Sequence, residues 1–201
     1  MDLLGTPAQL QSATNITTID VAGSTLLVAS KLKSLVVTID TNLRFDCHAR
    51  NVAKACNFHT RALRHVHSLL TDDVAQTVAC SIIASRLDYC NVLLSGAPAA
   101  TFDKLQCAQN NLARVVCQSR GRTDARLLLH SLHWLPQRVT YKLAVLTHKV
   151  QTTATPAYLR ELVQMHAPPR ALRSSDAPTL VVPRIHTELA RRTFSVAAPS
   201  T

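Results

Sequence analysis

Glycine is scarce in this chain, at 4 of 201 residues, and aromatic side chains make up only 4% of it. Bulk comes instead from Leu, Val and Ala, a composition that favours helices. No run of eighteen apolar residues occurs, so no segment has the length and character of a membrane-spanning helix. Residues 1–30 carry acids and polar groups where a secretory leader needs a basic start and an apolar centre. The expectation is an intracellular protein, nuclear or cytoplasmic, without a membrane partner.

Several chemistries lack their residues. Structural zinc wants four converging ligands, usually with a Cys-x2-4-Cys half. Here only Cys56 with His59, and His130 with His133, sit three apart, and His59 is placed on the apolar face of a predicted helix. No metal ligand is therefore assigned. A Gly-x-Ser-x-Gly elbow is missing, and no orienting group or oxyanion site is evident for a nucleophile. All six cysteines, Cys47, Cys56, Cys80, Cys90, Cys107 and Cys117, fall within predicted helices among apolar neighbours, where reduced Cys acts as a small hydrophobe. No disulfide is expected in a reducing compartment.

Acid is also short: 12 Asp and Glu face 22 Lys and Arg, a net charge of +10. The imbalance is local. Residues 1–43 carry −1, residues 44–70 carry +4, residues 71–103 carry −3, residues 104–152 carry +7 and residues 153–201 carry +3. Positive charge on two helical blocks and a tail suits an anionic partner such as a nucleic-acid backbone.

The first residues carry short apolar runs at 16–21, 26–28 and 35–39 around Ala22-Gly23-Ser24, which predict strands. From Phe45 the period becomes helical. Arg50, Lys54, Arg61 and Arg64 fall along one line of that helix, with Val52, Ala55, Ala62, Leu63, Val66 and Leu70 expected opposite, as the core face. Thr71 with Asp72 and Asp73 predicts an N-cap and first-turn acids for a helix running towards Leu94, ended by Ser95-Gly96-Ala97-Pro98. A third helix is expected from Thr101 to about Gln118, then a basic loop at Ser119-Arg120-Gly121-Arg122, then a short helix capped by Thr123 or Asp124 and ending at Trp134-Leu135-Pro136. Residues 138–151 predict a fifth helix, with Arg138, Lys142 and Lys149 on one side and Val139, Leu143, Leu146 and Val150 on the other. Thr155-Pro156 predicts a sixth, to about Gln164. Beyond it, prolines at 168, 169, 178, 183 and 199 leave room for a helix only near Thr187 to Arg192.

The fold class read from this pattern is mainly α (α+β): a small N-terminal β remnant over 1–44, five or six helices over 45–166, and an irregular basic tail over 167–201, without fixed structure if its proline content dominates. Exposed basic residues opposite an apolar face are what any soluble helix shows. Their recurrence on two helices, with the Arg-Gly-Arg loop, points to phosphate contact by Arg50, Lys54, Arg61, Arg64, Arg120, Arg122, Arg126, Lys142 and Lys149. Trp134, the sole tryptophan, reads as a core anchor at a helix end rather than a base-stacking side chain, and Asp88 as structural.

SRLDYCNVLL (85–94), LHWLP (132–136) and VPRIHTELARRTFSVAAP (182–199) resemble the downstream half of a reverse transcriptase from a jockey-type, non-LTR (LINE-like) retrotransposon. Further matching pieces are Leu3 to Thr6, Val21 to Ser24, LVVTIDTNLRF (35–45), RALRHVHSLLT (61–71), LARVV (112–116), YKLAVLTHK (141–149), TPAYLREL (155–162) and LRSS (172–175). The resemblance implies that residues 1–44 correspond to the end of the polymerase palm and the helices to the thumb, which grips the backbone of an RNA and DNA template–primer. It also implies magnesium in the intact parent enzyme and no cofactor in this chain. The family's catalytic Asp-Asp pair follows an aromatic and a small residue in a hairpin, whereas Asp72-Asp73 follows Leu-Leu-Thr and opens a helix, so no catalytic residue is assigned.

Three departures stand out. Val36 occupies a position where the family usually has Gly. About two residues are missing between LHWLP and YKL, which within helix would turn the following sequence by roughly 200°. The chain also stops after Ala198-Pro199, before a Trp-Asn segment, as a piece clipped at both ends would. Activity as an RNA-directed DNA polymerase is not expected of it. The alternatives are a free-standing basic helical nucleic-acid-binding module, favoured if the flanking genome shows intact coding limits, and a non-functional relic.

Overall fold

Two antiparallel hairpins lead the described chain. β1 (Thr18–Val21) pairs with β2 (Ser24–Leu27), and β3 (Lys31–Ser34) pairs with β4 (Val37–Asp40), as separate two-stranded ribbons. In this computed structural model residues 17–119, 123–134, 138–166 and 179–200 are described. Leu3 to Thr6, the Arg120–Arg122 loop, Leu135-Pro136 and residues 172–175 lie outside them. The protein is mainly α, with this small strand set, as its composition led one to expect.

Both hairpins close with two-residue loops whose central residues have positive φ, the mirror-image turn that matches the twist of paired strands. Ala22 and Gly23 stand at φ 50° and 80°, and Leu35 and Val36 at φ 45° and 69°. Gly23 suits its place, because it carries no Cβ to clash. Val36 does not: a β-branched residue in the left-handed region is an outlier. The strand β3, Lys-Leu-Lys-Ser, was not anticipated, since it is exposed throughout and offers no apolar run.

α1 (Asp46–Val66) follows, prolonged by a 3₁₀ turn, His67–Leu69. Its entry is fixed by the Asp40 carboxylate, which accepts the amide protons of Arg44 at 2.8 Å and Phe45 at 2.7 Å. The face it buries overlaps the expected one only in part: Leu63 is in the core and Val52 and Leu70 pack against it. His48, Ala49, Cys56, Thr60, Leu63 and His67 are buried, with Val52 and Ala53 packed beside them, while Ala62 and Val66 are exposed. At 100° per residue this stripe is turned about 65° from the predicted one. Hydropathy misranks it because Thr60 and His67 are buried with their polar atoms satisfied. The Thr60 hydroxyl donates to the Cys56 carbonyl at 2.8 Å, and His67 is bonded at both ring nitrogens.

α2 (Asp72–Val78), a π-helical stretch (Ala79–Ala84) and α3 (Ser85–Asp88) run on without a break. Thr71 is the N-cap residue, but its hydroxyl makes no capping bond; the first-turn carboxylates of Asp72 and Asp73 complement the exposed amides instead. α4 (Ala99–Val116) and α5 (Ala125–Ser131) complete the first unit, α5 capped by the Asp124 carboxylate accepting from the Arg126 amide at 2.9 Å. The core joins Cys56 and Leu63 of α1, Ala79 and Ile83, Ala108, Leu112, Ala113, Val115 and Val116 of α4, Leu129, and Trp134. Trp134 is thus buried in the core.

α1 and α4 run parallel, because their ends meet in order. At the start Asp46 accepts from Thr101 and Lys104, both at 3.1 Å; at the finish His67 reaches Val116 and Gln118, both at 3.0 Å. Lys104 hydrogen bonding, with Thr101 and the Arg44 charge adding to it, holds the Asp46 carboxyl below its usual range.

The chain divides into two compact units, Met1–Asn91 with Ala97–Pro136, and Val92–Gly96 with Gln137–Thr201. The second contains α6 (Arg138–Thr153), α7 (Ala157–Arg160) and α8 (Phe194–Ala197), the last preceded by a 3₁₀ turn at Ala190–Arg192. α6 buries Leu143, Thr147 and Val150, the side expected. The sixth helix is a single turn rather than reaching Gln164, with Pro156 as its N-cap residue. The described part of the tail is structured: Met165 bridges Leu180, and the Arg192 guanidinium donates to the Gly96 carbonyl at 2.7 Å. Gly96 is required there, since its φ is +72° and a Cβ would come within 2.8 Å of Arg192 Cγ.

Candidate nucleic-acid interface

Between Cys47 and Thr71 the sequence has no acidic residue. α1 occupies most of that stretch, and Arg50, Lys54, Arg61 and Arg64 are all exposed on it. Among the described residues none of the four has a carboxylate within ion-pair distance; the described ion pairs are Arg44 and Lys104 with Asp46, and Arg191 with Glu188. Their charges therefore face solvent undiminished.

Arg50 and Arg64 are separated by about 21 Å along the helix axis, at 1.5 Å per residue. A duplex presents one phosphate per about 1.7 Å of its axis, so roughly a dozen lie alongside such a length. Because the buried stripe is rotated, the basic line flanks the core at about 115° instead of opposing it. Arg64 and His65 also sit in the last turn, where positive charge complements the helix dipole.

The other expected contacts are distributed. Arg126 is exposed on α5, in the same unit as α1. Lys149 is exposed and Lys142 half-buried on α6, in the second unit. Arg120 and Arg122 lie outside the described residues. Four of the nine expected residues thus share one helix face, and that face is the candidate interface.

Sequence reasoning missed one member. Phe58, 69% exposed, lies at the edge of the basic face, one turn beyond Lys54 and one turn before Arg61. Its signal was the spacing itself, three and four residues from two cations.

The carboxylates do not gather. Asp20 accepts from Thr25 at 2.6 Å, Asp40 caps the entry to α1, Asp46 binds Lys104, and Asp72 and Asp73 are exposed at the start of α2. Among the described residues no three His, Cys, Asp or Glu side chains converge as metal ligands. The cysteines also differ from expectation. Only Cys56 is buried, its thiol pushed up to about 11 by desolvation and donating to the Ile83 carbonyl at 3.8 Å. Cys80 and Cys107 are exposed on the outer faces of their helices, and Cys90 stands in a turn at φ 52°. All six are free thiols.

No helix among the described residues is long and apolar enough to cross a membrane. No protein-family model, curated protein or solved structure matches the chain.

Proposed function

We propose that this chain is the thumb-like portion of a jockey-type non-LTR retrotransposon reverse transcriptase, that it holds a template–primer by its phosphates, and that it has no polymerase activity of its own. The observation that carries the binding reading is the acid-free face of α1, with Arg50, Lys54, Arg61 and Arg64 exposed and without carboxylate partners among the described residues. Resemblance from LVVTIDTNLRF to FSVAAP supports the family. The Asp72-Asp73 pair at a helix start, in place of a hairpin, supports the lack of catalysis.

Phosphate contacts orient a protein on nucleic acid but carry no sequence information, so binding is indifferent to base order. The test is fluorescence anisotropy of the full chain with a labelled RNA–DNA primer–template, alongside the variant Arg50→Gln/Lys54→Gln/Arg61→Gln/Arg64→Gln. The variant is expected to bind at least tenfold more weakly at 100 mM salt, as the loss of several counterion-releasing contacts requires. Equal binding by both proteins would refute the assignment of α1. Primer extension with magnesium and deoxynucleotides is expected to give no product, and incorporation would refute the absence of catalysis.

A further inference from the structure

The basic line on α1 does not lie on a purely polar surface. Around the helix axis Phe58 falls about 40° from Lys54 and about 60° from Arg61, on the same side of both, so the ring borders the basic line at a height between those two cations. Beside that line an apolar ridge continues down the helix through Ala62 and Val66 to Leu69, and Val66 and Leu69 are 45% and 84% exposed. The sole described ring contact of Phe58 is an edge-to-face one with His59, at 5.3 Å between centroids and 81° between planes. Such an edge contact leaves a face of the Phe58 ring available.

A single exposed apolar residue needs no explanation. An exposed aromatic bordering a line of cations, on a stretch with no acid from residue 47 to 71, is a different pattern. Phosphates satisfy the cations, and the phenyl face takes a planar apolar group. Unpaired nucleotides offer both, since bases are accessible for stacking only when the strand is single. In a duplex the bases are stacked on one another and only the phosphates would be met.

Resting on the phosphate-binding reading above, we infer that α1 is a single-strand platform: Arg50, Lys54, Arg61 and Arg64 hold the backbone and Phe58 stacks on an unpaired base. The face prefers single-stranded nucleic acid to duplex, without preference among bases, because every base has a π-face.

The test uses the full chain with three labelled probes of equal length: oligo-dT, an abasic oligonucleotide carrying the same phosphates, and a duplex. Phe58→Ala is expected to weaken oligo-dT binding by roughly 5- to 150-fold, the range for loss of one stacked base. The slope of affinity against salt should not change, because no phosphate contact is removed. Binding of the abasic probe and the duplex should also be unaffected, and Phe58→Trp should retain oligo-dT binding. Phe58 is outside the core, so helical circular dichroism of both variants should match the parent. Equal oligo-dT binding by the parent and Phe58→Ala would overturn the inference, as would equal affinity of the parent for oligo-dT and the abasic probe. Those outcomes leave phosphate binding intact, whereas failure of the parent to bind any probe overturns both readings. Tighter binding of poly-glutamate than of oligo-dT would assign the face to an acidic polypeptide and overturn the inference too.

Discussion

Replacing Val36 by glycine should stabilise the protein although it removes a side chain. Val36 is the second central residue of the β3–β4 loop, at φ 69°, and is 70% exposed. A non-glycine residue held in that region costs about 1–3 kcal/mol, and a β-branched one lies towards the top of the range. Glycine removes the cost but enlarges the freedom of the unfolded chain by about 0.5–1 kcal/mol. Little burial is lost at so exposed a site, so the net gain is about 0.5–2 kcal/mol. For a chain of this size that corresponds to roughly 1–8 °C in Tm. The hairpin reports on the helical unit because it is tied to it: the Tyr89 hydroxyl donates to the Leu35 carbonyl at 3.0 Å, and Asp40 caps the entry to α1. Thermal unfolding followed by circular dichroism measures the shift. The reciprocal change Gly23→Val, at φ 80° in the other hairpin, should lower Tm. A Val36→Gly variant no more stable than the parent would refute the strain.

Two further predictions concern buried histidines. His67 ties the end of α1 to the end of α4, with Nε2 placed to donate to the Val116 carbonyl and Nδ1 to accept from the Gln118 amide, both at 3.0 Å. His67→Phe leaves those groups unpaired and should cost about 1–3 kcal/mol in urea unfolding; a change within error would show that water replaces the ring. Burial lowers the pKa of His48 below 6.5. Below pH 6.5 the unfolded state then takes up the proton more readily than the folded one, so this contribution to stability falls as pH drops below that value and is complete above it. Tm should decline between pH 7.5 and 5 by more in the parent than in His48→Gln, and identical pH profiles would contradict the assignment.

How far the sequence disclosed this structure follows from what each residue type signals. The extent of α1 was legible because a 3.6-residue period, unbroken by Gly or Pro, marks it. The exposure of Arg50, Lys54, Arg61 and Arg64 was legible for the same reason, since charge without a partner stays in water. The buried face was not. Ala62 and Val66 are as apolar as Ala49 and Ala53, and the true core uses Thr60 and His67, whose partners come from tertiary contacts or from one turn back. Phe58 escaped notice because an apolar residue is assigned to a core by default, although its angular position borders the basic line. β3 was hidden by its lysines, which suit an exposed strand but break an apolar run. The Val36 departure could be seen in the sequence, yet only φ 69° gives it a physical meaning.

The central claim is that the protein grips nucleic acid through the phosphates along α1, and the slope of binding affinity against salt concentration measures it most directly. Four cations on α1 each contributing a released counterion give a slope near −3.6 on a duplex, or roughly a 150-fold loss between 50 and 200 mM salt. A slope of at least that size, reduced by about one for each of Arg50, Lys54, Arg61 and Arg64 replaced by Gln, is the expected result. A slope near zero, or one unchanged by the four substitutions, would contradict it.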